Sequence, residues 1–278
     1  MIGLKWEFEN KTLDLNNNSF FRINSIDGLD QPTTELATTT SPFRFGSKVQ
    51  RVAIQPRIIT INLILYRKAE DSRKELTSFF RAGEKGTLYV SNSIREAKID
   101  CFFQEMTTTR GELPVKAQLV LYAEDPYFKG LSKVIEEMAN VTKKFEFALE
   151  FTSSGIALGE INSTTNKTIV NESDVITGVS VEILMLGQVI NPTVHNITRN
   201  EFIGVLGTFN QGDVININTF IGNKNITLNK STNLIGKIMS SSKWIQLNRG
   251  ENIIYYNADS GADNMRITVS YDLNIGAM

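Results

Sequence analysis

The sequence offers few side chains that could act as a nucleophile, a general base or a metal ligand. His195 is the only histidine and Cys101 the only cysteine. A serine–histidine–acid triad would therefore have one candidate base, and no Gly-x-Ser-x-Gly motif surrounds a serine. Residues 193–197 are typical of a strand, which favours a hydrogen-bonded structural imidazole at His195. Residues 99–103 are largely apolar, which favours a buried, inert thiol at Cys101.

Metal and phosphate sites are not predicted either. One histidine and one cysteine leave mainly carboxylates for zinc, and the sequence has no His-Glu-x-x-His pair. Asp259 and Asp263 flank a polar loop that leaves calcium open, but their spacing departs from the EF-hand and favours a plain hairpin connection. Residues 83–87 lack the residue order of a phosphate-binding loop. We predict no catalytic residue, no metal and no cofactor.

Three aromatic residues could present rings to a sugar from the second half of the chain: Trp244, Tyr255 and Tyr256. The alternative, which the alternating pattern around them favours, is that these rings fill the core of a β-sandwich. Paired carboxylates for glycoside hydrolysis cannot be identified from spacing alone. No local motif favours a wall-degrading enzyme, so we predict that the protein is not an enzyme.

Length and composition indicate two folded domains. The chain has 278 residues, 41% of them hydrophobic, with sixteen phenylalanines. Its formal net charge of -1 lacks the positive excess that binds phosphate backbones or anionic membranes. The first residues do not form a signal peptide and no apolar run reaches the length of a membrane span. We therefore expect synthesis in a cytoplasm, no nucleic-acid binding and no membrane insertion.

The dominant periodicity is two, which predicts a mainly β protein of sandwiches or barrels. Apolar and polar residues alternate in four segments of the chain, at residues 59–63, 145–151, 179–183 and 267–271. One helix is predicted in the first half, with Ser72 as its cap, Leu76, Phe79 and Phe80 as its apolar face and Gly83 near its end.

A second, shorter helix is predicted over residues 131–139 at the join between domains. Gly130 and the charged pair Lys143-Lys144 bracket this stretch. The predicted division is a first domain over residues 1–130, a linker over 131–143 and a second domain over 144–278.

Several weak landmarks in a fixed order resemble distal tail proteins of long flexible-tailed phages (siphophages) and of tail-like bacteriocins. The strand at 119–124 and its Asp125-Pro126-Tyr127-Phe128 turn look like the segment that closes the N-terminal domain of that family. Residues 26–30, the helix and residues 86–90 follow the order of elements in the same domain. Asn191-Pro192, and Gly250 and Asn252 within residues 247–254, are similar to landmarks of its C-terminal galectin-like sandwich. Each landmark also has a local explanation, since Pro126 ends a strand and Gly250 can supply the positive φ of a hairpin.

The resemblance to this family implies a fold, a function and a location that the residue pattern alone does not predict. It implies an N-terminal ring-forming split-barrel domain with one packed helix, followed by a galectin-like β-sandwich. The expected function is a structural distal tail or baseplate hub, in which a homo-hexameric ring joins the tail tube protein to the tail-tip and receptor-binding apparatus. The expected location is the virion tail tip, or a tail-like bacteriocin particle, assembled in the bacterial cytoplasm. The alternative is a carbohydrate-binding tail adhesin that recognises cell-wall glycan through its second domain.

Overall fold

The computed structural model describes residues 2–41, 45–66, 69–109, 113–142, 160–163 and 166–278. The described chain divides into two compact units. The first unit contains Met1–Leu131 together with Asn274–Met278, and the second contains Ser132–Leu273.

The first unit is a β structure with one α-helix among its described residues. Its elements in chain order are β1 (Gly3–Phe8), β2 (Lys11–Asp14), β3 (Phe21–Asp27), β4 (Thr34–Thr40), β5 (Ser47–Ile54), β6 (Arg57–Leu65), α1 (Ala69–Phe79), β7 (Lys85–Ser91), β8 (Glu96–Thr108), β9 (Lys116–Ala123) and β10 (Phe128–Gly130).

One large sheet organises this unit in the open order β2-β1-β7-β8-β9-β6-β3. Its strands alternate as a half-buried sheet requires, and in β6 the side chains of Ile59, Ile61 and Leu63 are all buried. Strands β4 and β5 form a separate two-stranded sheet. The large sheet thus provides the core of the unit, and the β4–β5 hairpin lies outside it.

Helix α1 packs on the sheet through an aromatic cluster. Trp6 on β1 stacks on Phe80 with ring centroids 5.1 Å apart, and Phe103 on β8 contacts Phe80 at 5.4 Å. The indole nitrogen of Trp6 donates a 3.2 Å hydrogen bond to the carbonyl of Phe79. The helix begins three residues before the predicted cap, and the buried Ser72 hydroxyl donates to the carbonyl of Phe20 at 3.0 Å. The predicted capping role of Ser72 is therefore wrong, because its side chain ties the helix to the segment before β3.

The second unit is built from strands and short 3-10 turns. Its strands are β11 (Val134–Glu137), β12 (Ala139–Thr142), β13 (Glu160–Ser163), β14 (Asn166–Asn171), β15 (Thr177–Gly178), β16 (Ser180–Met185), β17 (Val189–Ile190), β18 (Thr193–Asn196), β19 (Glu201–Gly204), β20 (Thr208–Phe209), β21 (Val214–Asn218), β22 (Asn225–Leu228), β23 (Thr232–Asn233), β24 (Gln246–Leu247), β25 (Gly250–Asn257) and β26 (Met265–Tyr271). The 3-10 turns are Ile197–Arg199, Ile235–Lys237 and Ala262–Asn264, and the last strand of the chain, β27 (Asn274–Ile275), returns to the first unit.

Two antiparallel sheets form a sandwich around one apolar core in this unit. The six-stranded sheet has the order β11-β26-β16-β21-β22-β23, and the four-stranded sheet has the order β14-β25-β18-β19. Ile183 and Ile267 from the first sheet and Val194 and Ile254 from the second are all buried in the shared core. The prediction of a mainly β chain, with one helix in the first half and a sandwich in the second, is confirmed by the described residues.

The short helix predicted over residues 131–139 is wrong. Residues 134–137 form strand β11, which pairs with β26 from Val134 opposite Tyr271 to Glu137 opposite Thr268. A segment this short gains too little from its own helical hydrogen bonds, so pairing with an existing sheet edge decides its structure.

Two parts of the predicted division differ from the grouping of residues in the structure. Strand β11 belongs to the second unit rather than to a linker, and Asn274–Met278 belong to the first unit rather than to the second domain. The reason for the second difference is that β27 pairs with β10, where Phe128 lies opposite Ile275. The strand predicted over residues 145–151 lies outside the described residues.

Candidate functional site

The β4–β5 hairpin presents an apolar face that the described residues leave uncovered. Leu36 lies opposite Val52, Thr34 opposite Ile54, and Thr38 opposite Val49. Side chains alternate along a strand, and the register shift between Ala37 and Thr38 brings Val49 to the same face as Val52, so these pairs share one face. Its large apolar members are exposed: Leu36 by 53%, Val49 by 46%, Val52 by 61% and Ile54 by 48%. We call these four residues the hairpin face.

The two strands of the hairpin pair only with each other within the described chain. Where the chain leaves the hairpin, the amide of Gln55 donates to the carbonyl of Thr33 at 2.9 Å, and its side chain donates to Glu35 Oε2 at 2.5 Å. An isolated two-stranded hairpin is marginally stable in water, and its outer edges carry unpaired backbone groups. The geometry therefore suits pairing and apolar contact with another protein surface.

The Asp125–Phe128 turn is organised by a buried arginine that the sequence pattern did not single out. The guanidinium of Arg57 donates to the carbonyl of Pro126 at 2.6 Å and lies 4.6 Å from the centroid of the Phe128 ring. Asp125 accepts a 3.2 Å hydrogen bond from the amide of Tyr127 and pairs with Lys129 at 3.2 Å. Burial raises the pKa of Tyr127, and the Asp125 charge adds to that rise. These contacts fix the turn to Arg57 at the start of β6.

Arg57 also holds two other segments of the first unit. It donates to the carbonyls of Gly28 at 2.6 Å, Asp30 at 2.5 Å and Gly276 at 2.8 Å. Burial lowers the pKa of the guanidinium, and the four carbonyl oxygens replace the water that it has lost. No sequence signal marks Arg57, because its acceptors are backbone atoms from distant segments.

The landmarks of the second unit also lie in turns and hydrogen-bond networks. Asn191 adopts a left-handed φ of 54°, accepts from the amide of Gly207 at 2.8 Å and donates to Asp259 at 2.7 Å. Pro192 accepts at its carbonyl from the amide of Val205 at 3.0 Å. These contacts join the turn at Asn191 to two neighbouring loops.

Asn252 is buried near the start of β25 and holds the turn that precedes the strand. Its side chain donates to the carbonyls of Asn248 at 2.8 Å and Gly250 at 2.9 Å. Its amide oxygen accepts from the backbone of Asn248 at 2.9 Å and from the side chain of Asn196 at 3.2 Å. Gly250 has the positive φ of 79° that glycine adopts without strain. The four hydrogen bonds of Asn252 give this landmark a structural role.

The three sugar-binding candidates lie in different environments. Tyr256 is buried in the sandwich core. Trp244 packs against that core and has Lys224 Nζ 5.8 Å from its ring centroid. Tyr255 points to the opposite face of the sheet from Tyr256, beside His195 at a centroid distance of 5.5 Å. The structure therefore does not bring the three rings together.

The reactive side chains have structural surroundings. His195 Nε2 lies 3.0 Å from the hydroxyl of Thr193, and burial lowers the pKa of the imidazole. Burial raises the pKa of the Cys101 thiol to about 12. Within the described chain, no group of three or more His, Cys, Asp and Glu side chains is placed to hold a metal ion. The described helices include none with the length and apolar character of a membrane span.

Comparison with known proteins identifies each half of the chain with phage tail components. The family model of the phage tail protein RIFT-related domain matches residues 8–149, about half of the chain. The model of the siphovirus-type tail component, C-terminal domain, matches residues 172–273. No curated protein matches the sequence.

Solved structures show the same fold over the whole chain. The Dit protein of phage SPP1 aligns over 99% of both chains with a TM-score of 0.70 and 12% identity. A chain of the phage P2 baseplate, in its activated conformation with calcium, aligns over 100% of both chains with a TM-score of 0.52 and 12% identity. Together, the two family models show that the chain belongs to the siphovirus-type tail components, the family of distal tail proteins.

Proposed function

We propose that this protein is a non-enzymatic hub of a phage tail tip, in which six copies close a ring through their first units. The observation that carries the proposal is the hairpin face, because an exposed apolar surface on a hairpin with open edges needs a partner.

A closed ring requires two different surfaces of each copy to be complementary. The hairpin face provides one of them. The second lies elsewhere on the first unit, and the open edges of the large sheet at β2 and β3 offer unpaired backbone groups to a neighbouring strand. A neighbour that covered the hairpin would bury Leu36, Val49, Val52 and Ile54, each contributing about 1 kcal/mol or more.

The similar structures support a role at the tail tip. The SPP1 protein is described as a paradigm of the hub adsorption apparatus in phages that infect Gram-positive bacteria. Two further aligned structures are chains of the phage P2 baseplate. By analogy, the ring joins the tail tube protein to a tail-tip protein and to receptor-binding proteins. It is assembled in the bacterial cytoplasm and becomes part of a virion tail or a tail-like bacteriocin.

The experiment measures the native mass of the full chain and images it for six-fold symmetry, alone and with its tail partners. We expect particles of six times the 31.1 kDa chain mass. Val52→Asp places a charge on the hairpin face and abolishes assembly, while circular dichroism shows an intact fold. Ile221→Asp is the matched control, since Ile221 is 83% exposed in the second unit. A wild-type chain that stays monomeric with its tail partners, or a Val52→Asp variant that assembles normally, contradicts the proposal.

A second function, recognition of cell-wall glycan by the second unit, is favoured by one observation. Tyr255 is turned away from the sandwich core and lies in a row of aromatic side chains on the outer face of the four-stranded sheet.

A further inference from the structure

Three rings form a row across the outer face of the four-stranded sheet in the second unit. Tyr255 on β25 lies opposite His195 on β18, and His195 lies opposite Phe202 on β19. The imidazole stacks on Phe202 with centroids 5.4 Å apart and is tilted against Tyr255 at 5.5 Å. All three side chains are half-buried, so each presents part of its surface to solvent. We call Tyr255, His195 and Phe202 the aromatic row.

The hydrogen bonds of His195 define which nitrogen carries the proton. The Thr193 hydroxyl donates its single hydrogen to the carbonyl of Asn257 at 3.1 Å, so it accepts at the 3.0 Å contact with Nε2. Nε2 therefore carries the hydrogen. Burial lowers the pKa of His195, which keeps the imidazole neutral near pH 7 and leaves Nδ1 as an acceptor.

Two polar groups of the aromatic row have no hydrogen-bond partner among the described residues: His195 Nδ1 and the phenolic hydroxyl of Tyr255. His195 Nδ1 is an acceptor, and the Tyr255 hydroxyl can both donate and accept. The row thus combines apolar ring surface with two open hydrogen-bonding groups, which is the composition of a ligand site.

The paired strand neighbours of Tyr255 and Ile253 on this face are uncharged, and Glu251 is the charged residue of β25 that shares the face. Asn166 lies opposite Tyr255 on β14, and Thr168 lies opposite Ile253. Ile253 is 40% exposed and follows the same face of β25 as Tyr255. Because phosphate, nucleic acid and acidic peptides are bound through cationic groups, this surface favours an uncharged ligand.

We propose that the aromatic row binds a neutral pyranose unit of a bacterial surface polysaccharide. The apolar C–H face of a pyranose packs against aromatic rings, and its hydroxyl groups pair with His195 Nδ1 and the Tyr255 hydroxyl. This site rests on the second proposed function, glycan recognition by the second unit, and names its ligand class, and it is independent of the ring of first units. It adds receptor recognition to the chain itself.

The test titrates the full-length protein with D-glucose, D-galactose, L-rhamnose and N-acetyl-D-glucosamine, with glycerol as the non-pyranose control. The readout is the ring resonances of selectively labelled histidine, which report one site because His195 is the only histidine. We expect at least one sugar to shift them saturably at millimolar concentrations, and glycerol to leave them unchanged. Isothermal titration calorimetry supplies the affinity for the variants.

Tyr255→Ala and Tyr255→Phe separate the contribution of the aromatic ring to sugar binding from that of the hydroxyl group. The alanine variant loses the ring and weakens binding by about tenfold or more, while the phenylalanine variant keeps the ring and loses less. Tyr66→Ala is the matched control, because Tyr66 is an exposed tyrosine of the first unit. The native mass must be unchanged in all three variants. Failure of the sugar site is then distinguished from failure of the hexameric ring.

The proposal is overturned if none of the four sugars shifts the histidine resonances. It is also overturned if Tyr255→Ala binds as tightly as the wild type while remaining folded. Loss of a tail-protein contact in Tyr255→Ala, without sugar binding by the wild type, would assign the row to a protein partner instead.

Discussion

Arg57 Nη2 donates a 2.8 Å hydrogen bond to the carbonyl oxygen of Gly276, a residue 219 positions further along the chain. Gly276 follows β27, which pairs with β10 next to the aromatic ring that Arg57 covers. The last residues of the chain are thereby held in the first unit. The amide of Met278 adds a 3.0 Å hydrogen bond to the carbonyl of Leu29.

Replacing Arg57 should destabilise the first unit strongly. Arg57→Met keeps much of the apolar volume but leaves four carbonyl oxygens without their donor. We expect the free energy of unfolding to fall by about 3 kcal/mol or more, measured by urea denaturation. The control is Arg22→Met, since Arg22 is exposed and its guanidinium contacts only the Tyr66 ring among the described interactions, at 5.4 Å. That variant should lose less than about 1 kcal/mol. Equal losses in the two variants would contradict this role of Arg57.

Replacing Asn252 should also lower the free energy of unfolding, through the loss of a hydrogen-bond network in the second unit. Asn252→Ala removes a buried side chain that makes four hydrogen bonds and leaves its partners unsatisfied. We expect a loss of about 2 to 4 kcal/mol in the unfolding free energy. Asn257→Ala on the same strand is the control, because its side chain is exposed and should change stability by less than about 0.5 kcal/mol. A small effect at Asn252 would show that the turn does not depend on it.

Cys101 should be unreactive in the folded protein. Burial raises its pKa to about 12, so almost no thiolate is present at neutral pH. An aromatic disulfide reagent should label the native chain very slowly at pH 8 and label one thiol rapidly after denaturation in urea. Immediate labelling of the native chain would contradict the buried position of Cys101.

His195 should make stability depend on pH. Because burial lowers its pKa in the folded state, the unfolded chain binds more protons once the pH falls below the ordinary value of about 6.5. The contribution of the neutral imidazole to the free energy of unfolding is complete above about pH 6.5. It declines as the pH falls below that value and levels off below the folded-state pKa.

The measurement is chemical denaturation of the wild type and of His195→Gln between about pH 5 and pH 8. The wild type should lose more stability than the variant towards acid pH. The contacts described for His195 are uncharged, from Thr193, Phe202 and Tyr255, so no neighbouring carboxylate reverses the sign. A difference that increases towards alkaline pH would contradict this assignment.

The sequence predicted the elements whose periodicity is set by one buried face. The alternating residues 59–63, 179–183 and 267–271 lie in or at the start of strands β6, β16 and β26, and Leu76 and Phe80 are buried as the helical pattern indicates. Residues 131–139 were misassigned because four apolar residues in a short segment fit a helix, whereas the free edge of β26 is formed by distant residues.

The functional surfaces were harder to predict. Adjacent residues of a strand point to opposite faces, so the pattern Ile253-Ile254-Tyr255-Tyr256, which is apolar or aromatic throughout, does not show which tyrosine faces outwards. Arg57 has no visible partner in sequence, since it binds backbone carbonyls. The hairpin face was missed because alternating apolar residues normally indicate a buried face.

The most direct test of the account is hydrogen exchange of the β4–β5 hairpin in the assembled and dispersed fractions of the full chain, separated by dilution. If copies join through this hairpin, the amides of Thr34–Thr40 and Ser47–Ile54 exchange much more slowly in the assembled fraction. Equal exchange of these amides in both fractions would contradict the proposed ring contact.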